Sequence, residues 1–280
     1  MERFMKQPVL QIDNLVVRYG GGCTYCLAGG ALTKNACPHC KTVWACNHVD
    51  VNLYPGEILG IVGESGSGKS TLMKSIYFDF PVTSGSTYLL PYEKGKVNLF
   101  TQSLQQKKYI RNNMMGMVYQ NPVLGLRMEY SSAGNIAEKL IAAGNRIFSG
   151  MTNRVKELLD AVEILQSRMK EPPKNFSGGM QQRVQISKAL ANNPAVLLLD
   201  EVTTGLDLSV QARVLDLIKK IRQEFGVSIL LVSYDLAVTR MLADRTIVML
   251  AGKIIERGLT DQILDDRQHP YTQQLVHSLL

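Results

Sequence analysis

The chain has 280 residues, of which 45% are hydrophobic, 20% charged and 7% aromatic, a composition that excludes a disordered chain and suffices for one large core or two modest ones. The net charge is +7, but the basic residues are dispersed, and the densest group, Lys107, Lys108 and Arg111, is better explained as a solvated helix face than as a nucleic-acid groove. The longest apolar runs, 195–199 and 229–232, are far shorter than the roughly 18 residues that span a bilayer. We therefore expect no membrane insertion and no nucleic-acid partner. The amino terminus lacks the apolar stretch of a secretory signal, so a cytoplasmic location is expected.

The first third of the chain alternates strand-like runs with breakers. A run of near-alternating apolar residues from Leu10 predicts a first strand that ends at Tyr19, before three consecutive glycines. A cysteine-rich segment follows. The elements predicted after it are strands at 49–53 and 58–62, a helix from about Lys69, and short strand-like pieces with a basic helix within 86–118.

The remaining chain predicts a helical region and then an α/β pattern. Residues 135–165 have helical spacing with a break near Gly150, and we interpret 121–172 as a helical subdomain inserted into an α/β domain. From Ser177 onward, helices alternate with short buried strands, which implies right-handed crossovers and a mostly parallel sheet. The predicted elements are a helix at 178–192, a strand at 195–199, a helix at 209–225, a strand at 228–232 and a hairpin around Ala251 and Gly252. The hairpin adds an antiparallel β part.

A glycine-rich loop follows the strand predicted at 58–62. Residues 63–70 fit the pattern G-x-x-x-x-G-K-[ST] between a strand and a helix, the context that this phosphate-binding loop (P-loop) requires. Its backbone N–H groups would face phosphate oxygens, Lys69 would reach the β- and γ-phosphates of a nucleotide, and the Ser70 hydroxyl would ligate Mg²⁺. A flexible glycine-serine loop is the weaker alternative. The residues assigned to phosphate binding are Gly63, Glu64, Ser65, Gly66, Ser67, Gly68, Lys69, Ser70 and Thr71.

Two carboxylates end a later buried strand. Four aliphatic residues at 196–199 precede Asp200 and Glu201 at the carboxyl end of that strand, where ligands of open α/β sheets bind. Asp200 would position Mg²⁺, and Glu201 would polarise a water for attack on a γ-phosphoryl group. In isolation an ordinary acidic strand end would be favoured, but the P-loop in the same chain favours a nucleotide site.

The sequence Phe-Ser-Gly-Gly-Met-Gln-Gln-Arg at 176–183 opens a predicted helix, with Ser177 as N-cap and two glycines that allow a backbone or an anion to come close. With these residues, the chain resembles the ATP-binding cassette (ABC) family of P-loop ATPases. The resemblance implies that Ser177, Gly178 and Gly179 contact the γ-phosphate of an ATP held by a partner subunit. The active form would be a head-to-tail dimer, of two identical chains or of this chain and a related cassette. The alternative is an ordinary N-capped helix start in which the glycines bind no ligand.

Three further residues each match a single position of the family. Tyr19 resembles the aromatic residue that stacks on adenine, Gln120 resembles the glutamine that senses Mg²⁺, and Asp207 resembles a carboxylate at the dimer seam. By this resemblance Ser70 and Gln120 are the ligands of Mg²⁺. The alternatives are a core tyrosine, a surface-turn glutamine and an aspartate that caps a helix.

The chain departs from the family where a histidine is expected to hold the γ-phosphate and the attacking water. Tyr234 stands at this position. Tyrosine can donate a hydrogen bond but cannot carry a positive charge at neutral pH, so we expect weaker stabilisation of the transition state and slower turnover. The catalytic residues implied by the resemblance are Glu201, Gln120 and Tyr234.

Sequence outside the nucleotide motifs bears on the partner. The stretches 125–128 and 132–136 and the tail at 258–272 resemble the cassette subunits of carbon-phosphorus lyase, and the match covers nearly the whole chain apart from 21–46. The resemblance implies that ATP-driven dimer closure remodels a soluble, phosphonate-degrading core complex. The alternative is the energy-coupling ATPase of an oligopeptide, nickel or phosphonate importer. A cassette that acts on ribosomes or in DNA repair is weaker, because such proteins usually carry two cassettes or a long coiled-coil insert.

All five cysteines fall in one short segment. Cys23 and Cys26 form one C-x-x-C pair and Cys37 and Cys40 another, with ten residues between the pairs. Four thiolates in this layout can converge on a tetrahedral ion, and we expect structural Zn²⁺. Another metal, an iron-sulfur cluster and a metal-free or redox role are the alternatives.

The cysteine segment is an insert into the α/β domain. We assign 21–48 to a small zinc-ribbon-like insert within a single nucleotide-binding domain that covers 1–280. Cys46 and His48 could substitute as metal ligands or be strand residues. For His39 we expect a position on the surface or next to a ligand rather than direct ligation of the metal. Metal binding would fold a segment too small for its own core, and the insert would brace the nucleotide site near Tyr19, contact a partner or only stabilise the fold.

Overall fold

The computed structural model describes residues 7–277. Residues 1–6, on which the expectation of no secretory signal partly rests, lie outside the described range. Among the described residues, no helix combines the length and the apolar character needed to cross a bilayer.

Nine β-strands and eleven α-helices form within residues 7–277, in two units. The first unit comprises 7–54, 59–102 and 232–277, and the second comprises 55–58 and 103–231. The strands are β1 (Leu10–Tyr19), β2 (Val43–Leu53), β3 (Ile58–Val62), β4 (Ser84–Leu89), β5 (Met115–Val118), β6 (Val196–Asp200), β7 (Ser228–Val232), β8 (Arg245–Leu250) and β9 (Lys253–Leu259). The helices are α1 (Thr24–Leu27), α2 (Lys69–Ile76), α3 (Leu104–Asn113), α4 (Pro122–Gly125), α5 (Ser132–Ala142), α6 (Phe148–Ala161), α7 (Gly178–Leu190), α8 (Leu208–Phe225), α9 (Leu236–Leu242), α10 (Thr260–Asp265) and α11 (Pro270–His277).

An antiparallel sheet of order β2-β1-β4 lies in the first unit. Leu10 of β1 lies opposite Leu53 of β2 and Leu89 of β4, and all three side chains are fully buried. The apolar alternation predicts β1 correctly because one face of such a sheet packs into the core. The strand predicted at 49–53 begins earlier, at Val43, and so includes residues that the sequence suggested for the insert.

The other strands of the first unit carry the P-loop. β3 is buried along its whole length and pairs in parallel with β8, which pairs antiparallel with β9. Ala251 and Gly252 join β8 to β9 with φ values of 48° and 79°, as two-residue hairpin turns require. β3 ends at Val62 and α2 begins at Lys69, which leaves residues 63–68 as the loop between them.

In the second unit β5, β6 and β7 are neighbours in that order, and β5 runs parallel to β6. Val118 near the end of β5 pairs with Leu199 near the end of β6, so both strands end at the same edge of the sheet. β6 and β7 are buried throughout, as strands covered on both faces of a sheet are. This edge carries the candidate residues of the second unit.

The helical region of the second unit is interrupted at 143–147, close to the expected position. α5 ends at Ala142, and Gly144 follows in the left-handed conformation with φ of 96°. α6 begins at Phe148, two residues before Gly150, so the break predicted near Gly150 is confirmed, although Gly150 itself is helical. A glycine adopts positive φ without the steric cost of a Cβ, and this one ends α5.

Candidate functional site

The P-loop makes two close backbone approaches that only glycine permits. A Cβ on Gly63 would come within 2.1 Å of the Met249 carbonyl oxygen, and one on Gly68 within 1.9 Å of the Ala45 carbonyl oxygen. Backbone atoms cannot move aside as a flexible side chain does. Gly68 leads directly into α2, whose first-turn N–H groups and dipole suit a phosphate group.

Lys69 is 3% exposed, and its ammonium group lies inside the P-loop. Nζ donates to the carbonyl oxygens of Gly63 and Glu64, each at 2.8 Å, and lies 4.1 Å from the centre of the Tyr234 ring. The quadrupole of an aromatic ring attracts a cation placed over its face. Tyr234 therefore lies at the lysine of the P-loop.

A cavity of about 230 Å³ extends from the P-loop to Tyr19. The hydroxyls of Tyr19 and Thr71 are 3.0 Å apart, and Tyr19 is 44% exposed, unlike a core tyrosine. The cavity has the ring and hydroxyl of Tyr19 at one end and the P-loop with Lys69 at the other. This arrangement suits a nucleotide, which has an aromatic base and charged phosphates. The cavity is lined by Tyr19, Asn35, Val43, Ala45, Gly66, Gly68, Lys69, Ser70, Thr71 and Tyr234.

In the second unit, two buried carboxylates follow each other at the end of β6. Asp200 is 5% exposed and Glu201 is 4% exposed. Glu201 has φ of 51°, an uncommon value for a residue with a side chain, and such backbone strain is concentrated at functional sites. Gln120 lies beyond the end of the adjacent strand β5 and is exposed.

Two glutamines of α7 bind the loop that carries Gln120. Gln185 accepts the Tyr119 N–H through Oε1 at 2.6 Å and donates from Nε2 to the Tyr119 carbonyl at 3.1 Å. Gln182 donates from Nε2 to the carbonyl of Gln120 at 3.0 Å. Both glutamines are almost completely buried, which makes these hydrogen bonds costly to break. The sequence analysis did not identify this pair of glutamines. The signal that could have indicated it is the presence of two amide side chains three residues apart on the buried face of a helix.

α7 begins as predicted, with Ser177 accepting the Met180 N–H through Oγ at 3.4 Å. A Cβ on Gly179 would lie 2.3 Å from Cγ1 of Val210, so this glycine permits close packing of α7 against α8. Asp207 precedes α8 and makes no side-chain capping hydrogen bond there. The N-cap explanation therefore does not account for this carboxylate.

The four cysteines of the two C-x-x-C pairs converge, with all four sulfurs within 4.8 Å of one another. The separations are 3.8 Å for Cys23–Cys26, 3.7 Å for Cys23–Cys37 and 3.8 Å for Cys26–Cys40. A tetrahedral ion with Zn–S bonds of about 2.3 Å requires sulfurs about 3.8 Å apart. Hydrogen bonds from the Thr42 side chain and then its backbone lower the pKa of Cys40 to about 6, which favours the thiolate. These four thiols could hold a metal ion.

The neighbouring candidate ligands lie outside this cluster. Cys46 is fully buried in β2, and burial raises the pKa of its thiol to about 12, which keeps it protonated. His48 is hydrogen bonded through Nδ1 to Oδ1 of Asn14 at 2.5 Å. The exposed ring of His39 lies edge-on to Tyr25, with ring centres 4.5 Å apart. The metal-ligating candidates are thus the four converging cysteines.

Comparison with known proteins places residues 46–204 in the family described as ABC transporter. The chain is 41% identical over 276 residues to the putative phosphonates utilization ATP-binding protein PhnK of Escherichia coli (strain K12), and the match covers 99% of each chain. It is 37% identical over 244 residues to the oligopeptide transport ATP-binding protein OppD of Bacillus subtilis (strain 168), covering 85% of this chain and 67% of that one.

A solved structure shares the fold. The dimeric ATP-binding cassette MJ0796, in a post-hydrolysis state bound to ADP and Pi, superposes with a TM-score of 0.74 at 26% identity. The superposition covers 90% of this chain and 98% of that one. The α/β fold of P-loop ATPases expected from the sequence is therefore confirmed.

Proposed function

The chain belongs to the ABC transporter family of ATPases, and we propose that it uses ATP to remodel a soluble, phosphonate-degrading carbon-phosphorus lyase complex in the cytoplasm. The observation that carries this proposal is the 41% identity over 99% of both chains to a protein named for phosphonate utilization.

The first unit supplies the groups that would bind ATP. Tyr19 stacks on adenine, and the backbone of the P-loop with Lys69 holds the phosphates. Support for this comes from the cavity that Tyr19, Lys69 and Ser70 line together. Ser70 and Gln120 would ligate Mg²⁺, with Asp200 positioning it, and the bound ion would neutralise charge on the β- and γ-phosphates.

Glu201 would act on the attacking water. The carboxylate accepts a hydrogen bond from the water and orients it toward the γ-phosphorus, and ADP and phosphate are the products. Tyr234 would stand beside the γ-phosphate through its contact with Lys69. Because no cationic imidazole lies there, we expect the chain to bind nucleotide but to hydrolyse ATP slowly.

Dimerisation would complete two such sites. Ser177, Gly178 and Gly179 at the start of α7 would face the ATP held by a second cassette, and Asp207 would lie at the seam. Leu208 beside it is 85% exposed, as a residue that becomes buried on association can be in one chain alone. The second cassette is an identical chain or a related one.

The cysteine cluster would hold structural Zn²⁺. The ligands are Cys23, Cys26, Cys37 and Cys40, whose sulfur separations of 3.7–3.8 Å suit a tetrahedral thiolate site. A closed set of four protein ligands leaves no position for a substrate, so the ion would have a structural role.

The second candidate function is the energy-coupling ATPase of a membrane importer. It is favoured by the 37% identity to the oligopeptide transport protein OppD. Val123 and Leu124 of α4, directly after Gln120, are 57% and 65% exposed and offer apolar surface to a partner in either case.

Purification from cells tests the two candidates. Tagged protein with Glu201→Gln, which should trap the ATP-bound dimer, is purified with ATP from cells growing on a phosphonate, and the bound proteins are identified by mass spectrometry. Soluble carbon-phosphorus lyase subunits are expected, whereas a membrane permease would overturn the proposal in favour of the importer. Glu224→Gln on α8 is the matched control, because within residues 7–277 the ion-pair partner of Glu224 is Lys220, at 3.9 Å, and the substitution should not trap the dimer.

A further inference from the structure

A tight turn of the cysteine insert lies at the P-loop. Thr33 and Ala36 exchange both backbone hydrogen bonds, at 2.9 and 3.1 Å, which places Lys34 and Asn35 at the tip of the turn. The carbonyl of Asn35 accepts the N–H of Trp44 at 2.7 Å. The turn is therefore anchored on β2, at the base of the insert.

The side chain of Asn35 lines the nucleotide cavity. Its Nδ2 lies 3.5 Å from the carbonyl oxygen of Gly66, a long hydrogen bond to the P-loop. Among residues 7–277, Oδ1 of Asn35 accepts no hydrogen bond, so the amide still offers an acceptor to a bound molecule. Tyr19 and Val43 line the same cavity and give it an aromatic and apolar part suited to a nucleoside.

The turn is held by the two cysteine pairs. Cys37 follows Ala36 directly, and its sulfur lies 3.7 Å from that of Cys23. Between Cys23 and Cys40, only Cys26 and Cys37 are buried apolar residues, so packing alone gives this segment little stability. An ion bound by both cysteine pairs would already hold the segment in one conformation. Less conformational entropy would then be lost when Asn35 is ordered.

We infer that the four-cysteine insert is a nucleotide-binding element. The bound ion fixes the 33–36 turn so that the amide of Asn35 hydrogen bonds the base or sugar of the nucleotide, while the P-loop holds the phosphates. Metal occupancy and nucleotide affinity are then thermodynamically linked. The inference rests on the proposed binding of ATP and adds a contact that the P-loop motif does not include.

The first test separates the nucleoside from the phosphates. Titration calorimetry of the zinc-loaded full chain is done with ATP and with inorganic tripolyphosphate, for the wild type, Asn35→Ala and Asn35→Asp. Loss of one hydrogen bond should weaken ATP binding by about five- to tenfold in Asn35→Ala and leave tripolyphosphate binding unchanged. Asn35→Asp keeps the shape of the side chain, and its charge should repel ATP further. Asn47→Ala on β2 is the matched control, because Asn47 lines a different cavity.

The second test measures the linkage without using turnover. Zn²⁺ affinity is determined by competition with a chromophoric chelator, with and without ATP. ATP should tighten Zn²⁺ binding by the same factor by which Zn²⁺ tightens ATP binding, and Asn35→Ala should abolish most of that factor.

The outcomes separate this inference from the proposed function. If the wild type binds ATP but Asn35→Ala binds it equally well, the inference is wrong and the ATPase proposal stands. A chain that binds no ATP in any form would overturn both. If metal removal unfolds the chain, the comparison of zinc-loaded wild type and Asn35→Ala still decides whether Asn35 contacts the nucleoside.

Discussion

The hydroxyl of Tyr271 accepts a hydrogen bond of 2.7 Å from the backbone N–H of Glu64 in the P-loop. Tyr271 lies in α11 and packs against an apolar cluster that includes Val62, the last residue of β3. Burial raises the pKa of Tyr271, so the phenol stays neutral at physiological pH. α11 therefore helps to position the P-loop.

Tyr271→Phe should weaken ATP binding. The substitution removes the acceptor of the Glu64 N–H while keeping the ring in its apolar cluster, and a lost hydrogen bond of this kind costs about 1 kcal/mol, or about fivefold in affinity. Titration calorimetry with ATP measures the change. Tyr92→Phe is the matched control, because the Tyr92 hydroxyl donates to Oε1 of Gln102 at 3.4 Å and belongs to no candidate site. Equal affinities for the two variants would contradict a role of Tyr271 in the loop.

The sequence predicts the motifs better than the contacts between them. Residues 63–70 form a contiguous stretch whose strand, glycines and helix start are local properties, so their structure follows from spacing. The contacts of Asn35 with Gly66 and of Tyr271 with Glu64 join residues 31 and 207 positions apart, and no local pattern encodes them.

Element boundaries show the same limit. Two glycines, Gly144 and Gly150, lie in one stretch of helical spacing, and the spacing alone does not show that Gly144 is the one that takes the left-handed conformation. β2 starts at Val43 because pairing with β1 extends the strand through Cys46, where the cysteine spacing alone suggests an insert. At the start of β2, pairing with a distant strand therefore overrides the local pattern.

One equivalent of Zn²⁺ per chain is expected, and it should depend on the converging cysteines. Cys26→Ser removes one of four ligands and should reduce the bound zinc several-fold, because three thiolates leave the tetrahedral site open. Elemental analysis of purified protein measures the zinc content. Cys46→Ala is the matched control, since Cys46 is equally buried but lies outside the cluster. Full zinc retention by Cys26→Ser would show that the metal is held elsewhere.

Glu138 should contribute stability that depends on pH. Its carboxylate lies 2.8 Å from Nε of Arg127 and 2.9 Å from Nζ of Lys188. Burial raises its pKa, but the hydrogen bonds from Lys188 and Arg127 outweigh burial and hold the pKa below the ordinary value of 4.5. A lowered pKa in the folded state means that the stabilisation is present above pH 4.5 and is lost as the pH falls through the folded-state pKa.

Glu138→Gln should therefore lower the free energy of unfolding at neutral pH, by less than about 1 kcal/mol because the pair is partly exposed. Urea unfolding at neutral and at acidic pH measures the difference, which should shrink in acid. Glu163→Gln is the control, because the side chain of Glu163 is 65% exposed in its pair with Arg183. A difference for Glu138→Gln that grows as the pH falls would contradict the sign of this linkage.

Tyr234→His should raise the steady-state rate of phosphate release by about tenfold or more, because an imidazolium can stabilise charge that develops on the γ-phosphate and a phenol cannot. Tyr234→Phe keeps the ring 4.1 Å from Nζ of Lys69 and removes only the hydroxyl, so it should bind ATP like the wild type and turn over no faster. Tyr234 is 43% exposed, so neither substitution should alter the melting temperature much, and a melting curve checks that the rates compare folded proteins. Equal rates for wild type and Tyr234→His would mean that hydrolysis is limited by another step, such as dimer closure, and that the tyrosine is not what slows turnover.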